Sequence, residues 1–221
     1  MTSRRRFVLA SASPARLRTL RAAGLDPEVL VTGVDESTVQ ATNPAELAGT
    51  LARLKAEAAV RSIRSACTDS AGGAAPIVLG CDSVLEFAGQ VHGKPAGAAE
   101  AVQRWRQMRG RTGVLHTGHC VIDTQSDALA EEVAATVVRF AEISDAEIEA
   151  YVETGEPLQV AGAFTIDGLG GWFVEGVDGD PGNVIGVSLP LLRRLLRRLG
   201  VSVPQLWQCQ EAADATPPAA T

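Results

Sequence analysis

A chain of 221 residues with 46% hydrophobic and 21% charged side chains is long enough to close one sizeable core and has the composition of an ordinary globular domain. Its formal net charge of −6 supplies no basic field for nucleic acid or a membrane surface, so an anionic ligand has to be held by local cations or a divalent metal. The cysteines Cys67, Cys81, Cys120 and Cys209 form no C-x-x-C pair, which fits a reduced, cytosolic chain. Arg4-Arg5-Arg6 precedes only Phe7-Val8-Leu9-Ala10, too short for a signal segment or a membrane span, and these arginines read as a solvated N-terminus.

Phe7 to Ala10 is a short strand candidate, and the residues after it spell a helix start, with Ser13 as N-cap and Pro14 as first helical residue. Leu17, Leu20 and Ala23 continue at helical spacing to a stop at Gly24. A strand feeding a helix N-terminus offers unpaired N–H groups and the positive dipole end. Arg16 in that first turn is unfavourable on dipole grounds unless an anion offsets it; the alternative is an arginine pointing to water. Val29-Leu30-Val31 is a second strand candidate leading to Asp35 and Glu36. Adjacent acids at a strand end suit a hard divalent cation, or else form a solvated turn. A long helix opens at Asn43-Pro44-Ala45-Glu46, with Leu47, Leu51, Leu54 and Ala58 as its buried stripe and Lys55 at its margin, either snorkelling to water or reaching into a cleft. Residues 65 to 76 read as a loop within one domain.

Ile77 to Leu85 is an apolar, β-branched run that predicts a strand buried on both faces. Asp82 falls where that strand is expected to end. A carboxylate there is costly to desolvate unless it meets a cation, a metal or hydrogen-bond donors, so it marks either a site or a turn cap. A hairpin around Gly89-Gln90 then returns Gly93-Lys94-Pro95 toward Asp82, with Lys94 fixed between a permissive and a restricting residue. A fixed lysine near a fixed aspartate suits phosphate chemistry.

Gly97 opens a helix carrying Ala101, Val102, Trp105 and Met108 as core positions. Val114 to Ile122 and Val133 to Ile143 predict two strands. In a strand, the three-residue spacing of His116 and His119 sends their rings to opposite faces, against a shared metal. Ser144-Asp145-Ala146-Glu147 is a capping box. The glycine-rich stretches from Ala161 to Gly168 and from Gly171 to Val174 read as a pair of extended segments, and the stretch from Gly179 to Gly186 as a turn with a short apolar run. Ser188 caps a last helix with leucines on one side and Arg193, Arg194, Arg197 and Arg198 on another. That basic face is either solvated or, less consistently with the acidic balance, a nucleic-acid surface. One domain over residues 1–206 is expected, with 207–221 too poor in apolar residues to order itself.

Taken together, Ser11-Ala12-Ser13-Pro14-x-Arg16, Val34-Asp35-Glu36, Lys55-Ala56, Gly80-Cys81-Asp82-Ser83, Gly93-Lys94-Pro95, Ala161-Gly162-Ala163-Phe164 and Asn183-Val184-Ile185-Gly186 resemble, in order, the Maf family of nucleoside triphosphate pyrophosphatases, once named for effects on septum formation. The resemblance covers nearly everything from Phe7 to Val203. It implies an α/β fold, an elongated mixed sheet with flanking helices and two lobes around a central cleft, in a cytoplasmic and frequently dimeric protein. It also implies a divalent metal, Mg or Mn, and Asp82 as proton acceptor. On this reading Asp82 and Glu36 hold the metal, and Ser11, Ser13, Arg16, Lys55 and Lys94 bind the phosphates. Ala15, Ser83 and Asp167 stand at specificity positions: they depart from the Arg, Thr and Gln of the branch selective for thymidine and uridine triphosphates. Asp167 is chemically nearest to the Glu of the branch resembling 7-methyl-GTP hydrolases. The other reading is a regulator of cell division that binds nucleotides without turning them over.

Overall fold

The computed structural model describes residues 5–36, 39, 41–66 and 75–207. Strand β1 (Phe7–Ala10), helix α1 (Pro14–Ala22) and strand β2 (Glu28–Val29) are followed by the long helix α2 (Pro44–Ala66) and strand β3 (Ile77–Phe87). Next come β4 (Gln90–His92), α3 (Ala98–Met108), β5 (Thr112–Asp123), β6 (Ala128–Phe140), α4 (Asp145–Glu153), β7 (Val174–Asp178), α5 (Pro181–Ile185) and α6 (Leu189–Arg198). The strands form one mixed seven-stranded sheet in the order β2-β1-β3-β5-β6-β7, with β4 also on β3. β2 and β3 flank β1 in parallel, and every other pairing is antiparallel.

β3 belongs to two lobes at once. Side chains alternate across a strand, so Ile77, Leu79 and Cys81 join Phe7, Leu9, Leu20 and the α6 leucines Leu191, Leu192, Leu195 and Leu196 on one face. Val78 joins Val8 and the α2 alanines Ala52, Ala56 and Ala59 on the other. Farther along, Leu85 and Phe87 enter a separate core around Trp105, Phe140, Tyr151 and Phe164. Trp105 is fully buried, its indole N–H donates to the Ala163 carbonyl at 2.7 Å, and the Phe140 and Tyr151 rings stand edge-on to it at 5.6 Å.

Small residues set the distance from α2 to the sheet. Ala48, Ala52, Ala56 and Ala59 are fully buried and lie over Gly80 of β3 and Gly118 of β5. A Cβ on Gly80 would run into the Ala52 carbonyl and stand 2.8 Å from the Ala56 nitrogen, and one on Gly118 would run into the Ala48 carbonyl. The helix therefore lies nearly against backbone, and its margin comes down onto β3 beside Asp82.

Several expectations hold. Ser13 caps α1, Asn43 accepts from the Glu46 N–H at 2.9 Å, the Ser144–Glu147 capping box is complete, and Ser188 caps α6. Others are corrected. β3 does not end at Asp82 but runs on to Phe87, because Leu85 and Phe87 have a second core to enter. The expected strand at Val29-Leu30-Val31 is shorter, pairing through Val29 with one further bond from Leu30 N–H to the Leu9 carbonyl at 3.0 Å. Arg5 and Arg6 are not merely solvated: Arg5 forms a bidentate pair with the buried Asp123, and Arg6 pairs with Glu28.

The glycine-rich stretches are 3-10 turns (Ala161–Ala163 and Leu169–Phe173) rather than extended segments. The second is organised by Glu156, which accepts from the Tyr151 hydroxyl, the Thr165 hydroxyl and the N–H groups of Leu169 and Gly170, between 2.5 and 2.9 Å. Four donors around one carboxylate gather the segment into a knot. Extended structure begins only at Val174, as β7, and Asp180 caps the short helix α5 in place of a turn and short apolar run. The loop expected at 65–76 and the tail at 207–221 lie mostly outside the described residues.

Candidate active site

The opening is a gap on one edge of β3. β5 covers the other edge continuously from Ile77 to Glu86, but on this edge β1 pairs only with Ile77 to Gly80 and β4 only with Leu85 to Phe87. Cys81 to Val84 are left without a strand beside them. The chain leaving β1 turns across the gap as Ser11-Ala12-Ser13 and starts α1, while on the far side the antiparallel return of β4, with His92 opposite Leu85, directs Gly93 and Lys94 toward Ser83. A carboxylate in mid-strand lies beside this gap because the neighbouring strand stops short.

Asp82 shares its face of β3 with Val78 and Gly80, under α2. It is 8% exposed and makes an ion pair with Lys55 of α2, whose ammonium also pairs with Glu36 at 2.7 Å. Burial pushes the Asp82 carboxyl above the ordinary aspartate value, a rise opposed by the charges of Lys55 and Arg16. Glu36 is exposed, so its approach to the same Nζ atom draws two carboxylates to one point from distant parts of the chain. Among the described residues there is no group of three or more His, Cys, Asp or Glu side chains able to hold a metal.

Ser83, one residue on, faces the α1 layer. Arg16 is buried, and its guanidinium donates to the Gly186 carbonyl at 2.8 Å, to Ser11 Oγ at 2.8 Å and to Ser83 Oγ at 2.9 Å. Neutral oxygens of three different segments hold Arg16, and none of them is the anion that its first-turn position calls for. Ser11 Oγ also accepts from the Ser13 N–H at 3.2 Å. Ser83 Oγ lies 2.9 Å from Thr117 Oγ1, which donates to the Asn183 carbonyl at 3.0 Å.

The structure gathers these residues into two networks, Ser11, Arg16 and Ser83 on one face of β3 and Glu36, Lys55 and Asp82 on the other, joined through the consecutive residues Asp82 and Ser83. Ser13 is nearby as the cap of α1. Lys94 is exposed and has no hydrogen bond or ion pair among the described residues; it stands on the opposite wall, where Gly93 is held by Arg104 at 2.6 Å and by Gly162 at 3.1 Å. Asp167 is exposed on the segment knotted by Glu156 and pairs with Arg18 of α1 at 3.2 Å. Ala15 is half-buried on α1, one turn before Thr19. His116 and His119 part as their spacing requires: His116 meets Glu86 at 2.9 Å, and the buried His119 ring bridges the Thr117 carbonyl and the Ser188 N–H.

The sequence reading missed Thr117, and it quoted Asn183 and Gly186 only as the ends of a motif, without a part in this network. Two of the three act through main-chain carbonyls, which no side-chain pattern reveals.

The Maf-like protein family matches residues 6–199. The chain is 57% identical over 212 residues to a protein of Salinispora tropica named nucleoside triphosphate pyrophosphatase, covering 96% of this chain and 92% of that one. It is 59% identical over 204 residues to a protein of the same name from Streptomyces coelicolor, covering 92% and 95%. A third, from Nostoc punctiforme, is 48% identical over 202 residues, with 91% and 98% covered. With a family match across both lobes and relatives alike over nearly their whole length, this chain belongs to the Maf family.

Proposed function

We propose that the chain is a hydrolase that cleaves nucleoside triphosphates, modified ones included, between the α and β phosphorus atoms, giving the monophosphate and pyrophosphate. The observation that carries this reading is the buried Asp82, paired with Lys55 on one face of β3 while its neighbour Ser83 accepts from Arg16 on the other, at a gap in the sheet, together with the name shared by relatives that match over almost their full length. Asp82 accepts the proton of the attacking water. Its raised pKa makes it a better base than an ordinary aspartate. Arg16 turns its remaining N–H groups to phosphate oxygens, Lys55 moves from the carboxylates toward the incoming phosphates, and Lys94 closes on them from the other wall. Ser11, Ser13 and the start of α1 line the phosphate side.

Charge balance argues for a divalent cation, Mg or Mn. Arg16 and Lys55 are already matched by Asp82 and Glu36, so the triphosphate brings negative charge that these residues leave uncompensated. Asp82 and Glu36 would hold the ion: they converge on one atom, and Mg is commonly bound by one or two carboxylates plus substrate phosphates and water. Its chemistry there is to neutralise phosphate charge. Asp167 offers an acceptor to a base edge bearing N–H donors, as guanine does, with Ala15 and Ser83 as the other two specificity positions. Buried thiols at Cys81 and Cys120 suit a reducing cytoplasm, and among the described residues no helix is long and apolar enough to cross a membrane. The resemblance extends to a homodimer, which light scattering tests.

A panel of ordinary and modified triphosphates with magnesium or manganese, assayed for pyrophosphate and in parallel for nucleotide binding, tests the proposal. Turnover that collapses in Asp82→Asn supports the enzyme. Binding without turnover in the unaltered protein supports the non-catalytic regulator instead.

A further inference from the structure

Arg16 has five N–H donors, and the three bonds to Gly186, Ser11 and Ser83 use three of them. What fixes the third bond is settled by counting hydrogens. The Asn183 carbonyl can only accept, so the single hydroxyl hydrogen of Thr117 points to it, at 3.0 Å. The 2.9 Å contact between Thr117 and Ser83 must then use the hydrogen of Ser83. Ser83 therefore meets Arg16 as an acceptor, the only role a guanidinium allows it. The order is Arg16 N–H to Ser83, Ser83 O–H to Thr117, Thr117 O–H to Asn183.

Two of the three guanidinium nitrogens thus end on helix α5 and its C-cap: Nε directly on the carbonyl of the C-cap Gly186, Nη2 through two hydroxyls on the Asn183 carbonyl, while Nη1 stays on Ser11. Asn183 and Thr117 are fully buried. The Asn183 amide donates to the Leu115 carbonyl and to Thr136 Oγ1, both at 3.1 Å, and Thr136 donates to the Asp180 carbonyl at 3.1 Å. The relay ends on a turn fixed from several sides, and hydroxyl chains of this kind polarise one another in a buried setting.

We propose that Thr117 is a positioning residue for the reaction: acting through Ser83, it fixes the rotation of the Arg16 guanidinium so that the two uncommitted N–H groups meet the phosphates. This rests on Arg16 being a phosphate ligand. Thr117→Val keeps the shape and removes the hydroxyl. The Asn183 carbonyl is not orphaned by it, since it also accepts from the Gly186 N–H at 3.1 Å, so the variant is expected to fold.

The experiment is a double-mutant cycle on kcat/KM for the best triphosphate, using Thr117→Val, Arg16→Lys and both together, with Thr117→Ser as rescue and thermal midpoints alongside. Thr117→Val is expected to lower kcat/KM about tenfold and Thr117→Ser to restore most of it, while in the Arg16→Lys background Thr117→Val changes kcat/KM by less than about twofold, the signature of coupled groups. Equal losses in both backgrounds, or no loss in Thr117→Val, would overturn the relay while leaving Arg16 as a ligand. An Arg16→Lys protein with undiminished kcat/KM would overturn the phosphate role of Arg16 and the relay with it. Should Thr117→Val fail to fold, Ser83→Ala breaks the relay one link earlier and enters the same cycle with the same two readings.

Discussion

Asp82 and Ser83 are consecutive on one strand and so face opposite layers, Asp82 toward Lys55 under α2 and Ser83 toward Arg16 of α1. Two neighbouring positions thereby gather cations from both sides of the sheet. The raised pKa of Asp82 has a direct consequence. In the metal-free protein the Asp82 carboxyl is expected to titrate above the 3.8 of an ordinary aspartate, and a divalent cation held by Asp82 and Glu36 to draw it down. An NMR titration in which Asp82 protonates at or below 3.8 without metal would contradict the burial account of its pKa. At this scale the sequence was legible wherever a residue broke a local rule. Arg16 sits at the wrong end of a helix dipole, and Asp82 interrupts an apolar strand. Lys55 offered less, since a lysine beside an apolar stripe reads equally well as snorkelling. Thr117 broke no rule at all, because a β-branched residue in a strand is what packing alone would choose, and its role depends on a carbonyl 66 residues away.

Helix α2 reaches Asp82 because the two strands beneath it carry glycine where it crosses them. Gly118 pairs directly with Asp82 across β5 and β3, and a Cβ there would meet the backbone of Ala48 and Gly49. Gly118→Ala is expected to destabilise the fold by about 1–3 kcal/mol, as overpacking against a rigid neighbour does. Because the helix must lift, Lys55 is also expected to leave Asp82 and activity to fall beyond the loss of folded protein. Urea melts with assays on the folded fraction check both effects. The elements themselves were largely legible: caps at Ser13, Asn43, Ser144 and Ser188, and the apolar runs of β1, β3, β5 and β6, all follow local chemistry. Misreadings came where a distant partner decides the outcome. β3 continues past Asp82 for the sake of Leu85 and Phe87 in the second core, and the glycine-rich stretch after Ala161 folds around a carboxylate, Glu156, that nothing in its own composition announces.

At the scale of the whole molecule, acid acts on stability through a few buried groups. Burial pulls the His119 pKa from 6.5 down to about 4. Between those values the unfolded chain binds a proton that the folded chain does not, so stability is complete above pH 6.5 and falls by about 3 kcal/mol as pH drops to 4. Asp123, lowered from 3.8 to about 2 chiefly by its hydrogen bonds with Arg5, adds a further loss below 3.8, worth about 1 kcal/mol once solvent screening of the partly exposed Arg5 is allowed for. Asp82 has the opposite sign: raised in the folded state, it favours folding as it is protonated and offsets part of that loss. Urea midpoints measured from pH 7 to 4 are expected to fall, and His119→Gln, which keeps an acceptor for the Ser188 N–H, is expected to flatten the slope. An unchanged slope would place the titration elsewhere. The two-lobed plan follows from the same features that make the site: one strand long enough to serve two cores, and a neighbour on its edge short enough to leave a gap between them.

The most direct measurement is product identity with and without the Asp82 carboxylate. The unaltered protein, given its best triphosphate and a divalent metal, is expected to release nucleoside monophosphate and pyrophosphate in equal amounts, and Asp82→Asn to do so at least about a hundredfold more slowly, the effect of removing a general base. Release of orthophosphate with a nucleoside diphosphate, or an Asp82→Asn rate within about twofold of the unaltered protein, far short of a general base's contribution, would contradict the assignment.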